Sequence, residues 1–400
     1  MAGPAKLQRS RGFRYAILGA GRQGVAAAFD VAAHGDAEAV LVFDFERTRA
    51  DQGAALVNRL AGRAVATAAT LDASDIAAVE RAVKGVTATV SGLPYFLNPS
   101  VAAAAVRAGS HFCDMGGSTE RVFEELELDG AARAAGVSVV PDCGYQPGAG
   151  NTLAAYAVAQ VPRAERVRIL VGGLPQQPRP PLNYQMVFSA HGLLKEYAEP
   201  VTILRGGKVT KVEPLTELET LDLTGFGTLE AFLTSGSSST NPWTYEGRLQ
   251  AFEVKTLRYP GHCEQIRVLR ALGLLSNDAV SVDGATVTPR LFTGALFEKH
   301  LTFRDAPDVC VMRVECEGPE GGLTIDWLDR ADAKTGFTAM ERCTGFSVGI
   351  VAAMQARGLI PPGAHRPEVG VPAEAFLGEL RKRGFTLTET KAKLPVAARA

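Results

Sequence analysis

Short apolar runs alternate with stretches of helical periodicity along residues 1–140. Arg14–Leu18 predicts a buried strand, and Gly21–Ala33 repeats apolar positions at helical spacing. Ala39–Phe43 predicts a second strand ending at Asp44, Arg47–Leu60 a helix, and Ala64–Thr67 a third strand. Asp75–Val83 is helical, and Val86–Val90 is a strand that runs into Ser91-Gly92-Leu93-Pro94. The alanine-rich stretch Pro99–Ala108 is a helix closed by Gly109, and His111–Asp114 and Val137–Val140 are strands with helix between them. Strand–helix alternation at this pitch predicts βαβ units and a parallel, doubly wound sheet.

The rhythm changes after Gly150. Asn151–Val161 predicts a helix. Beyond it the strand-like runs Val167–Gly172, Thr202–Leu204, Phe252–Leu257, Val309–Glu317 and Leu323–Asp329 are spaced by long Gly/Pro/Ser-rich segments. That pattern predicts a mixed or antiparallel sheet with few helices. Thr338–Arg357 is apolar at helical spacing, stops at Gly358 and is followed by Pro361-Pro362. The expected fold is α/β: a Rossmann domain over 13–145, an α+β substrate and oligomerisation domain over 146–335, and a C-terminal helical segment over 336–385 that returns to the Rossmann domain.

Gly19-Ala20-Gly21-Arg22-Gln23-Gly24 matches GxGxxG. Alone the pattern is weak. Here it follows a strand, opens a helix and precedes a strand that ends in an acid, and that context gives it meaning. Gly19 permits the tight turn, Gly21 lets backbone approach a pyrophosphate, and Gly24 lets helix and strand pack closely. The phosphates then lie on the helix N-terminus. Asp44 stands 20 residues beyond Gly24. A carboxylate there accepts from both ribose hydroxyls and repels a 2′-phosphate, which points to NAD as cofactor, although Arg47 and Arg49 just past the strand are able to receive such a phosphate. Gly92, Leu93 and Pro94, at the carboxyl end of a strand, are expected beside the same ligand. So is Gly116 in Asp114-Met115-Gly116-Gly117. Asp114 reads equally as a catalytic carboxylate or a helix N-cap. Pro141–Gly148 is a dense turn at the expected domain junction.

In the second domain, strand alternation puts Lys255, Leu257 and Tyr259 on one face and Thr256 and Arg258 on the other. Arg258 is suited to clamp a substrate carboxylate, or else to a surface salt bridge. His262 suits proton transfer near neutral pH, or simple packing. Tyr184, His191, Ser235 and Thr240 fall in segments rich in small polar residues and are candidate substrate ligands.

Composition narrows the partners. The chain has 400 residues, 42 basic and 43 acidic, for a net charge of −1. That balance gives no reason to expect nucleic acid or an anionic membrane. No apolar run reaches the roughly 18–20 residues of a membrane helix. Residues 1–12 read as a disordered tail without a signal-peptide core, which implies a cytoplasmic protein. The six cysteines show no zinc-ligand spacing and read as free, mostly buried thiols, and no metal is expected.

Taken in order, GAGRQG, SGLPYFLNP, DMGG and PDCGYQPG resemble the saccharopine dehydrogenase-like oxidoreductases. The stretches GGLPQQPRPPLNYQMVFSAHGLLKEY, FGTLEAFLTSGSSST and VKTLRYPGHCEQIRVL resemble the lysine 6-dehydrogenase branch of that family. The resemblance runs from about Arg14 to Arg383. It implies NAD-dependent oxidation of the ε-amine of L-lysine, with release of ammonia, NADH and 2-aminoadipate 6-semialdehyde, which cyclises to 1-piperideine-6-carboxylate. For that chemistry Asp114 and His262 are the candidate base and water activator, with Lys255 tuning them by its charge, and a homo-oligomer is expected. The alternatives are a saccharopine- or carboxynorspermidine-type dehydrogenase acting on a secondary amine and, in another class, a sensor that binds NAD without turnover.

Overall fold

The structure, a computed structural model, describes residues 12–223, 225–303 and 306–392. The N-terminal tail expected from the sequence falls, up to residue 11, outside them. Six strands build the expected first sheet: β1 (Phe13–Leu18), β2 (Ala37–Asp44), β3 (Ala66–Thr70), β4 (Ala88–Ser91), β5 (His111–Asp114) and β6 (Ser138–Val140). Their order is β6-β5-β4-β1-β2-β3, and every neighbouring pair is parallel. The strand order reverses between β1 and β4, which opens a crevice at the carboxyl ends of those two strands. Ile17, Val42, Val90 and Cys113 pack on one face, and Leu18, Phe43 and Phe112 on the other. Both faces are covered, which is why these strands read as unbroken apolar runs rather than alternating ones.

The second sheet has nine strands: β7 (Arg166–Pro175), β8 (Val201–Arg205), β9 (Lys208–Val212), β10 (Glu219–Leu223), β11 (Gly227–Leu233), β12 (Ala251–Arg258), β15 (Asp308–Gly318), β16 (Gly321–Arg330) and β18 (Leu387–Ala392). Between them come a two-stranded hairpin, β13 (Val280–Val282) with β14 (Ala285–Val287), and the short β17 (Gly363–Ala364). Within the large sheet β7 and β12 run parallel and the other pairs antiparallel, so it is mixed as expected. The expectation of few helices is corrected. Ala190–Ala198, His262–Ala271 and Pro289–Leu301 are helices. The last two leave Val268, Leu272, Leu291 and Phe292 exposed, so no clean apolar stripe marks them in the sequence.

The C-terminal segment returns to the first domain, as the sequence implied. β17 pairs in parallel with β6. Helix Ala339–Ala356 crosses helix Arg22–His34 at very short range, because Gly345 and Gly349 face it. A Cβ on Gly345 would lie 2.6 Å from the Ala26 Cβ, and one on Gly349 2.5 Å from an Asp30 oxygen. Asp308, at the start of β15, caps this helix by accepting from the Ala339 and Met340 amides at 2.6 and 2.9 Å. Arg383 and Asp30 then form an ion pair at 2.5 Å, with both side chains at 0% exposure. One core runs through both sheets, with Ile17 and Val90 of the first and Phe252 and Trp327 of the second in the same cluster. All six cysteines are free and buried. No helix among the described residues is long and apolar enough to cross a membrane.

Candidate functional site

The glycine loop joins β1 to helix Arg22–His34, and each glycine has a separate job. Gly19 has φ +98°, and a Cβ there would meet the Gly92 carbonyl at 2.9 Å. A Cβ on Gly24 would lie 2.0 Å from the Gly19 carbonyl, so only glycine permits this approach of helix to strand. A Cβ on Gly21 meets nothing within 4 Å. Gly21 therefore faces open space, and its lack of a side chain matters for what enters from outside. The helix has no side-chain N-cap and no acid in its first turn. Its amides and positive dipole end are left for an anion. These are the features a dinucleotide pyrophosphate requires.

A cleft of about 410 Å³ adjoins the loop, lined by Gly19, Asp44, Arg49, Leu71, Leu93 and Phe96 among others. Asp44 is fixed at its rim. One carboxylate oxygen accepts from the Ala20 amide at 2.8 Å and the other from the Glu46 amide at 2.9 Å. Arg47 pairs with Asp51 at 2.9 Å and Arg49 with Glu46 at 3.1 Å. Leu93 and Pro94 line the cleft, and the Gly92 amide bonds the Leu18 carbonyl at 2.8 Å. The side chains of Arg22 and Gln23 turn elsewhere. Arg22 pairs with Glu341 at 2.5 Å, and Gln23 donates to the Val187 carbonyl at 3.3 Å.

On the second-domain side, the loop after β4 meets helix Ala190–Ala198. The Tyr95 hydroxyl lies 3.2 Å from His191 Nε2, with the two rings stacked, and Lys195 Nζ sits 5.0 Å above the Tyr95 ring. Lys195 also donates to the Ser118 hydroxyl at 3.2 Å. Gly117 has φ +131°, and a Cβ there would press on Tyr95 at 2.9 Å. Thus the loops after β4 and β5 and one second-domain helix meet at the carboxyl ends of the strands. His191 and Lys195 stand four apart on one helical face. The sequence contained that signal, but the segment read as a loop, so Lys195 was missed.

The same helix sends Tyr197 inward to a cluster around Arg258. Arg258 Nε donates to the Tyr197 hydroxyl at 3.0 Å, and its guanidinium lies 4.7 Å above the ring of Tyr184. Arg258 is 3% exposed and has no carboxylate within ion-pair distance among the described residues; the partly buried Glu196, which burial pushes up to about 7, acts on its charge from farther off. The expected roles of His262 and Lys255 are corrected. His262 is buried, with Nδ1 against the Leu182 carbonyl at 3.0 Å and Nε2 against the Tyr197 hydroxyl at 3.0 Å. Burial and the nearby Arg258 charge push its pKa down to about 3, so near neutral pH it is an uncharged packing partner. Lys255 points away from Arg258 across the sheet. It is tied to the Glu219 carboxylate at 2.8 Å and the Glu217 carbonyl at 2.9 Å.

Asp114 is also corrected. It is fully buried, and its Oδ1 accepts from the Gly116 and Asp142 amides at 2.6 and 3.1 Å. It binds the turn and caps no helix, since Ser118 holds the N-cap position of helix Thr119–Leu126. Around it lies a buried carboxyl cluster that the sequence did not reveal. Burial, aided by Asp114, pushes Glu125 up to about 12, and burial with the Asp114 charge pushes Asp142 up to about 7. Ser239 donates to Asp142 across the domain junction. Gly116, with φ +80°, leaves room for this carboxyl, because a Cβ there would lie 2.0 Å from Asp142 Oδ1. The remaining candidates are spread. Ser235 donates to the Pro200 carbonyl at 2.9 Å, within the second domain, and Thr240 to Glu368 of the C-terminal segment at 2.7 Å, so each hydroxyl serves internal packing. Of the expected substrate ligands the structure brings together Tyr184 and Arg258 only.

Comparison with known proteins agrees with this layout. Residues 15–140 match the model of the saccharopine dehydrogenase NADP binding domain, and residues 144–385 match that of the saccharopine dehydrogenase C-terminal domain. The chain is 29% identical over 221 residues to the NADP+-dependent, L-glutamate-forming saccharopine dehydrogenase of Schizosaccharomyces pombe, covering 52% of this chain and 48% of that protein. It is 29% identical over 234 residues to the protein of the same description from Pyricularia oryzae, covering 54% of this chain and 50% of that one. The alignments thus span about half of each curated relative. The L-glutamate-forming saccharopine dehydrogenase of Saccharomyces cerevisiae, in its apo structure, superposes with a TM-score of 0.77 at 19% identity, over 95% of this chain and 100% of that one, which shows the shared fold. The N-terminal part is a nicotinamide-dinucleotide-binding domain, and the chain belongs to the saccharopine dehydrogenase family.

Proposed function

We propose that this protein is an NAD-dependent amine dehydrogenase that oxidises the ε-amine of L-lysine, releasing ammonia and 2-aminoadipate 6-semialdehyde. The observation that carries the proposal is Arg258: a buried guanidinium 4.7 Å above the Tyr184 ring, with no carboxylate within ion-pair distance among the described residues and only the partly buried Glu196, pushed up to about 7 by burial, acting on it from farther off. A buried cation in that state calls for an anionic ligand, and the α-carboxylate of an amino acid supplies one in bidentate geometry. Asp44 supports NAD over NADP. Its carboxylate is held at the cleft rim, and Arg47 and Arg49 are each engaged by an acid, so a 2′-phosphate would meet net negative charge.

Bound coenzyme supplies the hydride acceptor. The protein must present a neutral amine, since an ammonium nitrogen has no lone pair to assist loss of hydride. A lysine amine starts near pKa ~10.4, so the site must take up its proton. With His262 and Asp114 withdrawn from the cleft, His191 hydrogen-bonded to Tyr95 is the acceptor we assign, and Lys195 beside Ser118 keeps a second ammonium from settling there. The carbon then loses hydride to give an iminium, water adds, and the C–N bond breaks to aldehyde and ammonia.

A second reading, favoured by the curated relatives, is oxidation of a secondary amine such as saccharopine, which would release L-glutamate. The test is NADH absorbance with L-lysine, ornithine and saccharopine, combined with assay of the released nitrogen compound. Ammonia from lysine supports the proposal, and L-glutamate from saccharopine alone replaces it with the second reading. Coenzyme binding without reduction by any amine points to a non-catalytic sensor.

A further inference from the structure

Helix Thr119–Leu126 starts beside Ser118, which accepts from Lys195, and ends at a second concavity. This one has a volume of about 460 Å³ and is lined by Leu126, Trp243, Thr244, Arg248 and Arg366 among others. It is separate from the coenzyme cleft and shares no lining residue with it. Its two arginines differ from most others in the chain. Arg121, Arg133, Arg342 and Arg383 all sit on carboxylates. Arg248 and Arg366 have no ion-pair partner among the described residues. Each lies instead on an aromatic ring, Arg248 at 5.5 Å from the centre of Tyr245 and Arg366 at 5.6 Å from that of Phe123.

The acid nearest in sequence to Arg366 is already committed. The Thr244 hydroxyl donates to Glu368 at 2.6 Å and accepts from Arg366 Nη1 at 2.9 Å. Glu368 also accepts from Thr240 at 2.7 Å. The carboxylate is thus satisfied by hydroxyls, and Arg366 is fixed in place with donors to spare. Trp243 stands edge-to-face with Phe123 at 5.0 Å and gives the concavity an aromatic wall. A guanidinium fixed on Thr244, a second exposed one over Tyr245 and an indole beside them suit an anion attached to a flat apolar body. We propose that this concavity is a binding site for a small organic anion, a carboxylate or phosphate carried on a ring.

The test is calorimetry on the full chain with NAD present in excess, using phenyl phosphate, benzoate, inorganic phosphate and phenol as probes. Phenyl phosphate and benzoate should bind one per chain, inorganic phosphate more weakly, and phenol not measurably. Arg366→Gln should weaken the organic anions about tenfold, the loss of one charge-assisted contact. Arg248→Gln, at an exposed position whose side chain lies over the Tyr245 ring, should do the same and covers the case in which the Arg366 variant misfolds. The proposal is overturned if none of the probes binds saturably, if phenol binds as well as phenyl phosphate, or if the folded Arg248 variant retains full affinity. None of these outcomes depends on which amine the protein oxidises.

Discussion

The guanidinium of Arg258 lies over the ring of Tyr184, 4.7 Å from its centre, while its Nε donates to the Tyr197 hydroxyl at 3.0 Å. Tyr197 is held in turn by His262, whose other nitrogen is fixed on the Leu182 carbonyl. The chain of contacts aims one cation and places no carboxylate within ion-pair distance of it among the described residues, while the partly buried Glu196 acts on its charge from farther off. Removing that cation should cost substrate affinity rather than coenzyme affinity. For Arg258→Gln we expect kcat/KM to fall at least thirtyfold, about 2 kcal/mol, with the NAD dissociation constant unchanged. For His262→Asn the pH–rate profile should keep its shape, because that histidine does not titrate near neutral pH. A shifted acid limb would return His262 to the chemistry.

Gly21 and Gly24 separate folding from binding. Gly24→Ala puts a carbon 2.0 Å from a backbone oxygen and should lower the thermal midpoint clearly. Gly21→Ala meets no protein atom and should leave the midpoint unchanged, yet weaken coenzyme binding by obstructing the pyrophosphate. Equal coenzyme affinity in a folded Gly21→Ala variant would place the dinucleotide elsewhere.

In the proposed function Asp44 discriminates between the coenzymes. Asp44→Ala should lower the NAD/NADP preference by at least about tenfold, since both the ribose acceptor and the repulsion of a 2′-phosphate disappear. Steady-state kinetics with both coenzymes measures the ratio, and an unchanged ratio removes Asp44 from that role.

Asp142 links stability to pH. Its ordinary pKa of 3.8 is pushed up to about 7 by burial and by the Asp114 charge. An acid with a raised folded-state pKa stabilises most below its unfolded value, and that contribution disappears as pH rises through the folded value. Stability should therefore fall between about pH 4 and pH 7 and then level off on this account. Asp142→Asn should flatten that decline while keeping a partner for Ser239. Melting curves of both proteins across this range provide the check, and parallel profiles would exclude Asp142 as the source.

Asp30 and Arg383 are sealed from water 353 positions apart. Arg383→Met strands the Asp30 carboxylate and should destabilise by about 3–5 kcal/mol. Adding Asp30→Leu should recover much of that loss, measured by denaturant unfolding of the single and double variants. A double variant no better than the single would mean that Arg383 acts mainly through Glu379.

The sequence by itself determined the parallel first sheet, its coenzyme loop and the returning C-terminal helix, because each rests on local rules. Buried strands read as apolar runs, Gly19-x-Gly21-x-x-Gly24 sits where strand meets helix, and the stretch from Thr338 to Gly358 contains its own start and stop. The alternation around Lys255 and Arg258 likewise assigned them to opposite faces. Tertiary structure alone decided that Arg258 packs among Tyr184 and Tyr197 while Lys255 meets Glu219, since the alternation is silent on what covers each face. It also buried Asp114 and His262, both plausible bases by residue type, with Asp114 Oδ1 on two backbone amides and His262 between Leu182 and Tyr197. Glu125 and Asp142 became a buried acid cluster only when the two domains closed over them. Desolvation and the distance between charges belong to the assembled chain, so no local pattern announces them.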